Sequence, residues 1–475
     1  MRMNKKRTLL ALCGIFICQF LGFSQTSSYD ENHLFSPSEL RDDFHYFRNK
    51  LEKTDPGLNL YTTMNVWNAF CDSLSDLLNK PMTEKDFYNI LCLLNTKLRD
   101  GHIHIFPGEM AMTHFNKQSR FLPFRIVING EKLWVIENNS GDKRIGPGNE
   151  ILSINGKSAN AIIDDLMTRQ IRDGQNDTYP RWILNTYFKE YYGFHFGHPD
   201  HFLIRYSADR KSGRSVVIKA LTKDSIRFYQ ALQHTGNTNR QSDSLGISLD
   251  CDETNSTALL TIKTFDIELL NSKYHQQYDQ TLRDNFSLIR KKEIKRLIID
   301  LRNNQGGDVE VGGLLISFLS RQPFKMLNAY YKLDTLQNNQ FGQMIQPAKG
   351  AYMGIHQPEP NAFMGKLYVL INGGSFSNSG IVSSALRRMH RAIFLGEETG
   401  GNKDILCGDP ESYTLPHTQI EVEVPTLIYE ITHKSLNTGH GTMPDHRIIP
   451  SVNSMVRQQD EVLDYVNELI NKDKH

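Results

Sequence analysis

Three serines crowd the segment Asn372-Gly-Gly-Ser-Phe-Ser-Asn-Ser379, where the apolar run Leu367-Tyr-Val-Leu-Ile371 breaks at two glycines ahead of a helix-like stretch that begins at Gly380. A hydroxyl at such a break suits nucleophilic acyl transfer, because the unpaired N–H groups of a helix N-terminus can hold an oxyanion. Spacing alone does not choose among Ser375, Ser377 and Ser379. Ser379 suits the N-cap, which puts the reactive serine upstream of it. A second such turn, Leu297-Ile-Ile-Asp-Leu-Arg-Asn-Asn-Gln-Gly-Gly307, again runs an apolar strand into adjacent glycines. A serine nucleophile also needs a proton acceptor. Leu98-Arg-Asp-Gly-His-Ile-His-Ile105 offers His102 and His104 on one side of an extended segment. Either neutral imidazole could take the proton and return it to a leaving group. These residues together point to a serine hydrolase.

The elements that must position them follow from hydrophobic periodicity. Helices are predicted over 36–51, 66–78 and 83–98, with Thr83 and Asp86 as an N-terminal capping pair, and they make a small helical domain. Short strands over 121–128 and 132–136 are divided by an Asn129-Gly130 turn, and a helix follows over 159–169. The polar stretch 233–244 reads as a linker, and the Gln-rich, Gly-punctuated stretch 336–354 as an exposed loop. Beyond the linker, strands over 258–265, 297–301, 367–371 and 392–395 alternate with helices over 282–292 and 381–391. That alternation predicts an α/β layer domain. The predicted division is a signal peptide over 1–25, a helical domain over 26–110 carrying the Asp-Gly-His motif, a β-rich domain over 111–225 and a catalytic domain over 226–475.

Composition narrows the partners. The 475 residues hold 54 Lys and Arg against 53 Asp and Glu, a net charge of +1, so no basic field exists to hold nucleic acid. Met1-Arg-Met-Asn-Lys-Lys-Arg7 is basic, and the apolar run over 9–23 is short for a membrane span. This reads as a secretory signal cleaved near Ser24 or Gln25. The mature chain then has no membrane span and is exported across the inner membrane to the periplasm or cell envelope. It keeps Cys71, Cys92, Cys251 and Cys407, scattered and without a Cys-x-x-Cys pair, so neither a zinc site nor a disulfide framework is indicated. One Cys71–Cys92 disulfide is conceivable, and buried free thiols are the other reading.

Two resemblances organise these observations. Gly146-Pro-Gly-Asn-Glu-Ile-Leu-Ser-Ile-Asn-Gly-Lys157 resembles the "G-D-x-I-x-x-I-N-G" signature of PDZ domains, with Asn149 in place of Asp, over roughly 121–221. A PDZ fold binds an extended peptide at a sheet edge. Four further motifs in order, Asp100-Gly-His-Ile, Ile299-Asp-Leu-Arg-Asn-Asn-Gln-Gly-Gly307, Asn372-Gly-Gly-Ser-Phe-Ser-Asn-Ser and Gly396-Glu-Glu-Thr-Gly-Gly401, resemble the tail-specific, C-terminal processing serine peptidases. Gly441-Thr-Met-Pro-Asp445 adds that family's "G-V-x-P-D" element. The resemblance covers nearly all the mature chain. It implies a crotonase-like α/β catalytic domain behind the helical and PDZ-like parts, a polypeptide substrate and no cofactor or metal.

Position by position, the family's "S-A-S-A-S-E" falls on 375–380, so the resemblance makes Ser377 the nucleophile and leaves Gly380 where the family has Glu. It places the oxyanion donors at Asn378 and at Gly306 or Gly307, each worth about 3 kcal/mol in the transition state. One branch of the family uses a lysine as base; its position is Asn402 here, with Lys403 one place along. The other branch, similar to the tricorn core peptidase, uses a histidine that maps to His102. The orienting carboxylate of that branch is missing from Thr438-Gly-His-Gly441, which leaves Asp100, Thr438 or His440 as substitutes. The reading adopted is a serine endopeptidase with Ser377 and His102. Its rivals are a decayed peptidase that binds peptides through the PDZ-like part, and a metal-dependent amidohydrolase, whose "D-x-H-x-H" entry resembles Asp100-Gly-His-Ile-His.

Overall fold

Apolar runs too short for helices become the central strands of a six-stranded sheet in the order Ile247–Asp252, Thr257–Ile262, Arg296–Asp300, Lys366–Ile371, Ile393–Gly396 and His446–Arg447, the two edge strands being more polar. This is a computed structural model, and it describes residues 29–208, 212–233, 244–333, 345–347, 354–432 and 437–472. The signal peptide expected over 1–25, and most of the stretches 233–244 and 336–354, lie outside the described residues. The first strand pair is antiparallel and the remaining pairs are parallel. Central parallel strands are covered on both faces, which is why they read as continuous apolar runs. Helices Tyr278–Lys291, Val309–Ser317 and Asn378–Arg388 cover one face, and Glu461–Lys472 covers the other through Val462, Val466 and Ile470. The α/β class predicted for this region is the one observed.

The amino-terminal helices are Pro37–Thr54, Met64–Leu77 and Glu84–Leu91. Ser36 and Glu39 close a reciprocal capping box on the first, and the Thr83 side chain accepts from the Asp86 N–H as the sequence suggested. These helices do not form a core alone. They share one with Leu415, Ile420, Val422 and Val424 of the long hairpin Ile405–Thr414 and Glu421–Glu430. The strand His104–Phe106 pairs antiparallel with Glu421–Glu430, placing His104 opposite Glu423. The Asp-Gly-His segment is thereby stitched into a sheet of the carboxy-terminal half. Cys71 and Cys92 sit in this apolar core as free thiols, so the disulfide weighed from the sequence is not formed.

The β-rich part is a sheet ordered Phe124–Asn129, Lys132–Asn138, Glu150–Ile154, His201–Ser207 and Arg214–Lys219. Its first turn is Gly130-Glu131, one residue later than predicted, because Asn129 pairs with Lys132 and Gly130 takes the left-handed conformation at φ +64°. Helix Ala159–Arg169 is present, whereas Thr178–Phe196 was not foreseen. Its sequence is rich in aromatic and β-branched residues of modest helix propensity, and burial of Tyr179, Ile183, Leu184 and Phe188 overrides that. This helix also covers the outer edge of Phe124–Asn129. The Asn185 amide accepts from the Ile128 N–H (2.6 Å) and donates to the Ile128 carbonyl (3.3 Å).

Candidate active site

Parallel strands Arg296–Asp300 and Lys366–Ile371 are neighbours, so the turns at their carboxyl ends lie side by side. In open α/β sheets that crevice is where ligands bind. The three serines separate here. Ser375 donates to the Leu301 carbonyl (2.8 Å) and accepts from the Asn372 N–H (3.1 Å), which closes the turn. Ser379 lies inside the first helical turn with its hydroxyl buried, so it is not the N-cap predicted for it. Ser377 is that N-cap residue, at φ +51° and ψ −122°. A non-glycine residue in such a conformation stores about 1–3 kcal/mol of strain, as nucleophile elbows do.

His102 Nε2 lies 3.1 Å from Ser377 Oγ. His102 is 1% exposed and Ser377 9%, so the pair is nearly dry yet reachable. Burial, with His104 second, holds the imidazole down to about 3, so it is neutral at physiological pH and can accept the hydroxyl proton. The ring is fixed by a stack: Phe376 lies over it at 4.5 Å between centroids, and Tyr179 lies over Phe376 at 4.0 Å. Gly101 has a steric reason. A Cβ there would meet Phe376 at 2.6 Å and Asp173 at 2.9 Å. His104 turns away, its Nδ1 3.1 Å from Glu423, so the two histidines do not converge as the amidohydrolase pattern requires.

Of the predicted oxyanion donors, Asn378 and Gly307 have N–H groups that make no hydrogen bond among the described residues. Gly306 does not qualify, because its N–H already donates to Asn304 Oδ1 (2.9 Å). Gly306 acts sterically instead: at φ +95°, a Cβ there would lie 2.7 Å from both Asn378 N and Ser377 Cβ.

The candidates for orienting His102 are also sorted. Asp100 Oδ1 accepts from the His102 N–H (2.7 Å) and lies 3.9 Å from Nδ1, a ring nitrogen that has no hydrogen-bond partner among the described residues. The Thr438 hydroxyl accepts from Lys403 Nζ (3.1 Å) rather than meeting the ring. His440 Nδ1 faces Glu398 (3.1 Å). Lys403 pairs with Asp404 and Thr438, away from Ser377, and Asn402 donates to Tyr61 and Asn437. Gly380 lies against Gly401, where a Cβ would be 3.3 Å from its Cα, leaving little room for the family's Glu.

Sequence reasoning missed the acidic ground behind His102. Asp173 is buried, and burial, with Asp100 second, pushes its carboxyl up to about 7. Asp55 is driven well above the usual carboxylate range by burial and then by Asp100, and Cys407 hydrogen-bonds in the same cluster. Arg172-Asp-Gly-Gln-Asn-Asp177 reads as an ordinary polar loop, so nothing in it announced this role.

Ser377 and His102 open onto a cleft of about 750 Å³. Its walls carry Asp266, Glu268, Asp308 and Asp409, and no lysine or arginine. Asp266 and Asp308 also hold the fold: Asp266 caps helix Ile267–Lys273, and Asp308 accepts from the Ile267 N–H (2.9 Å).

Residues 256–448 match the model of peptidase family S41. That stretch contains Ser377 and both glycine turns but stops short of His102. No curated protein matches the chain. Among solved structures it is similar to mature CPAF at 14% identity and TM-score 0.67, covering 92% of this chain and 99% of that one. CPAF complexed with lactacystin gives 14% and 0.66 over 91% and 98%, and a CPAF mutant gives 15% and 0.68 over 92% and 98%. At such identities the likeness is one of fold, and it extends over more than nine-tenths of the chain, well beyond the stretch that the family model matches. The match to peptidase family S41 spans the Ser377 and Gly307 turns, and the site that those turns build with His102 is that of a serine peptidase.

Proposed function

We propose that this chain is an exported endopeptidase of the cell envelope that cuts polypeptides through an acyl-enzyme, with Ser377 as nucleophile and His102 as base. The contact between His102 Nε2 and Ser377 Oγ carries this reading. Ser377 Oγ attacks the peptide carbonyl carbon as its proton passes to His102 Nε2. The oxyanion so formed lies between the N–H groups of Gly307 and Asn378. Collapse breaks the C–N bond, and His102 returns the proton to the leaving amine. Water then resolves the acyl-enzyme with His102 again as base. Asp100, 3.9 Å from Nδ1, supplies the negative charge that an imidazolium needs. The basic start and apolar run of the chain support export. Among the described residues no helix is long and apolar enough to cross a membrane.

The cleft acids favour substrates with cationic side chains. Asp266, Glu268 and Asp308 have no Lys or Arg partner among the described residues, and a like-charged wall concentrates the opposite charge. Peptides with Lys or Arg beside the cut should react about tenfold faster than Glu counterparts at low salt, the gap closing as salt rises. Equal rates would refute this preference. The rival reading, peptide capture at the PDZ-like edge, is disfavoured along Phe124–Asn129, where Asn185 holds the N–H and carbonyl of Ile128.

Replacing Ser377 by alanine tests the reading directly. Hydrolysis should fall by about 10⁶-fold and fluorophosphonate labelling should vanish. A variant that still cuts peptides at the parent's rate removes Ser377 from the mechanism.

A further inference from the structure

We propose that Asp173 is a positioning residue of the hydrolytic site, fastening the His102-bearing turn to the glycine turn that backs the nucleophile. The proposal rests on the Ser377 and His102 reading. Asp173 is 2% exposed and comes from neither segment it joins. Its Oδ1 accepts from the N–H of Gly101 (2.8 Å), the residue before His102. Its Oδ2 accepts from the N–H of Asn402 (3.0 Å). The Asn402 turn is in turn pressed on the nucleophile: Gly400 donates to the Ser375 carbonyl (3.0 Å), and a Cβ on Gly401 would stand 3.1 Å from Ser377 N. One carboxylate therefore spans the segment carrying the base and the turn propping the serine, from opposite halves of the chain.

The neighbouring backbone repeats the link in both directions. Gly174 N–H donates to the Arg99 carbonyl (2.9 Å), Gln175 N–H to the Gly439 carbonyl (2.8 Å), and the Asn176 side chain to the Thr399 carbonyl (2.8 Å). Tyr179, a few residues on, belongs to the aromatic stack over His102. A carboxylate suits this place because it presents two acceptors in one plane and no donor. An amide would aim its NH₂ at one of the two N–H groups.

Asp43 supplies the control. It is also buried, and it also binds two backbone N–H groups of a distant segment, His417 (2.9 Å) and Thr418 (2.8 Å). That segment is the tip of the long hairpin, away from Ser377. Asp43 joins the same two halves of the molecule without touching the site.

The experiment compares Asp173→Asn with Asp43→Asn in the full chain, by steady-state kinetics on a peptide the parent cleaves and by thermal midpoint. Both variants should lose stability. Asp173→Asn should lower kcat by about 10- to 100-fold with KM unchanged, as expected when reacting groups are displaced by a fraction of an ångström to an ångström. Asp43→Asn should keep the parent's kcat. A kcat loss that is equal in the two variants, or none in Asp173→Asn, overturns the proposal. Should Asp173→Asn fail to fold, amide hydrogen exchange on the parent decides: slow exchange at Gly101 and Asn402 supports the clamp, and exchange as free as in exposed loops overturns it. The two readings fail separately. If Ser377→Ala stays active the nucleophile assignment falls, whereas an inactive Ser377→Ala beside an unaffected Asp173→Asn removes only the clamp.

Discussion

The two sheets that meet at the cleft hold their halves of the site in different ways. Ser377 and Gly307 follow adjacent parallel strands, each fixed by the chain on either side of it: apolar strand, glycine turn, helix. His102 leads into His104–Phe106, a three-residue strand at the edge of a sheet whose other strands lie between 329 and 430. The Ser377 half is strained, at φ +51°, and its strand, turn and helix are continuous in sequence. The His102 half has no comparable strain at His102 and is held by contacts from distant segments: Glu423 across the strand pair, Phe376 and Tyr179 on the ring, Asp173 on the preceding peptide. The contrast implies that changes beside Ser377 act on the chemistry itself, and changes around His102 act through its placement.

The sharpest way to break the comparison is His102→Ala. The rate should drop by about 10⁴- to 10⁶-fold, and the double variant with Ser377→Ala should lose nothing more, because the pair acts as a unit. Burst-phase and steady-state kinetics on both variants measure it, and additive losses would mean that the two residues work independently. Gly306→Ala comes next. The new methyl must displace Ser377 or the Asn378 N–H, so kcat should fall about 10²- to 10³-fold, the scale of one lost oxyanion donor. Retained activity would show that the donor turn tolerates movement that the strained half should not.

Lys403→Ala is the smallest effect and sharpens the choice of base. Its ammonium holds buried Asp404, so the variant should lose about 1–3 kcal/mol of stability in denaturant titration while kcat stays at the parent's value. A loss of activity on the scale of His102→Ala would return the base to the lysine.

Legibility followed the same divide. The strands over 297–301 and 367–371, the helices behind them and the two glycine turns were readable because each signal is local and strong. Helix Ala159–Arg169 and the Thr83 cap were readable for the same reason. The N-cap was misplaced from Ser377 to Ser379, since a cap rule cannot see that Ser377 has left the ordinary backbone regions. Gly306 and Gly307 were inseparable by spacing, and only the Asn304 side chain tells them apart. Helix Thr178–Phe196 went unread because its composition argues against helix until its apolar face is buried.

By itself, the sequence determined the α/β class, the order of the chemical motifs and the serine-type chemistry, because hydrophobic period, glycine turns and hydroxyl placement act over a few neighbouring residues. The motif resemblance pointed to His102, but tertiary structure alone decided that its ring reaches Ser377, that Lys403 and His440 turn elsewhere, and that Asp173 stands between the two halves. Those outcomes depend on which distant backbone N–H groups and rings come within about 3–4 Å of each other, a distance set by packing and hydrogen-bond geometry rather than by any local pattern.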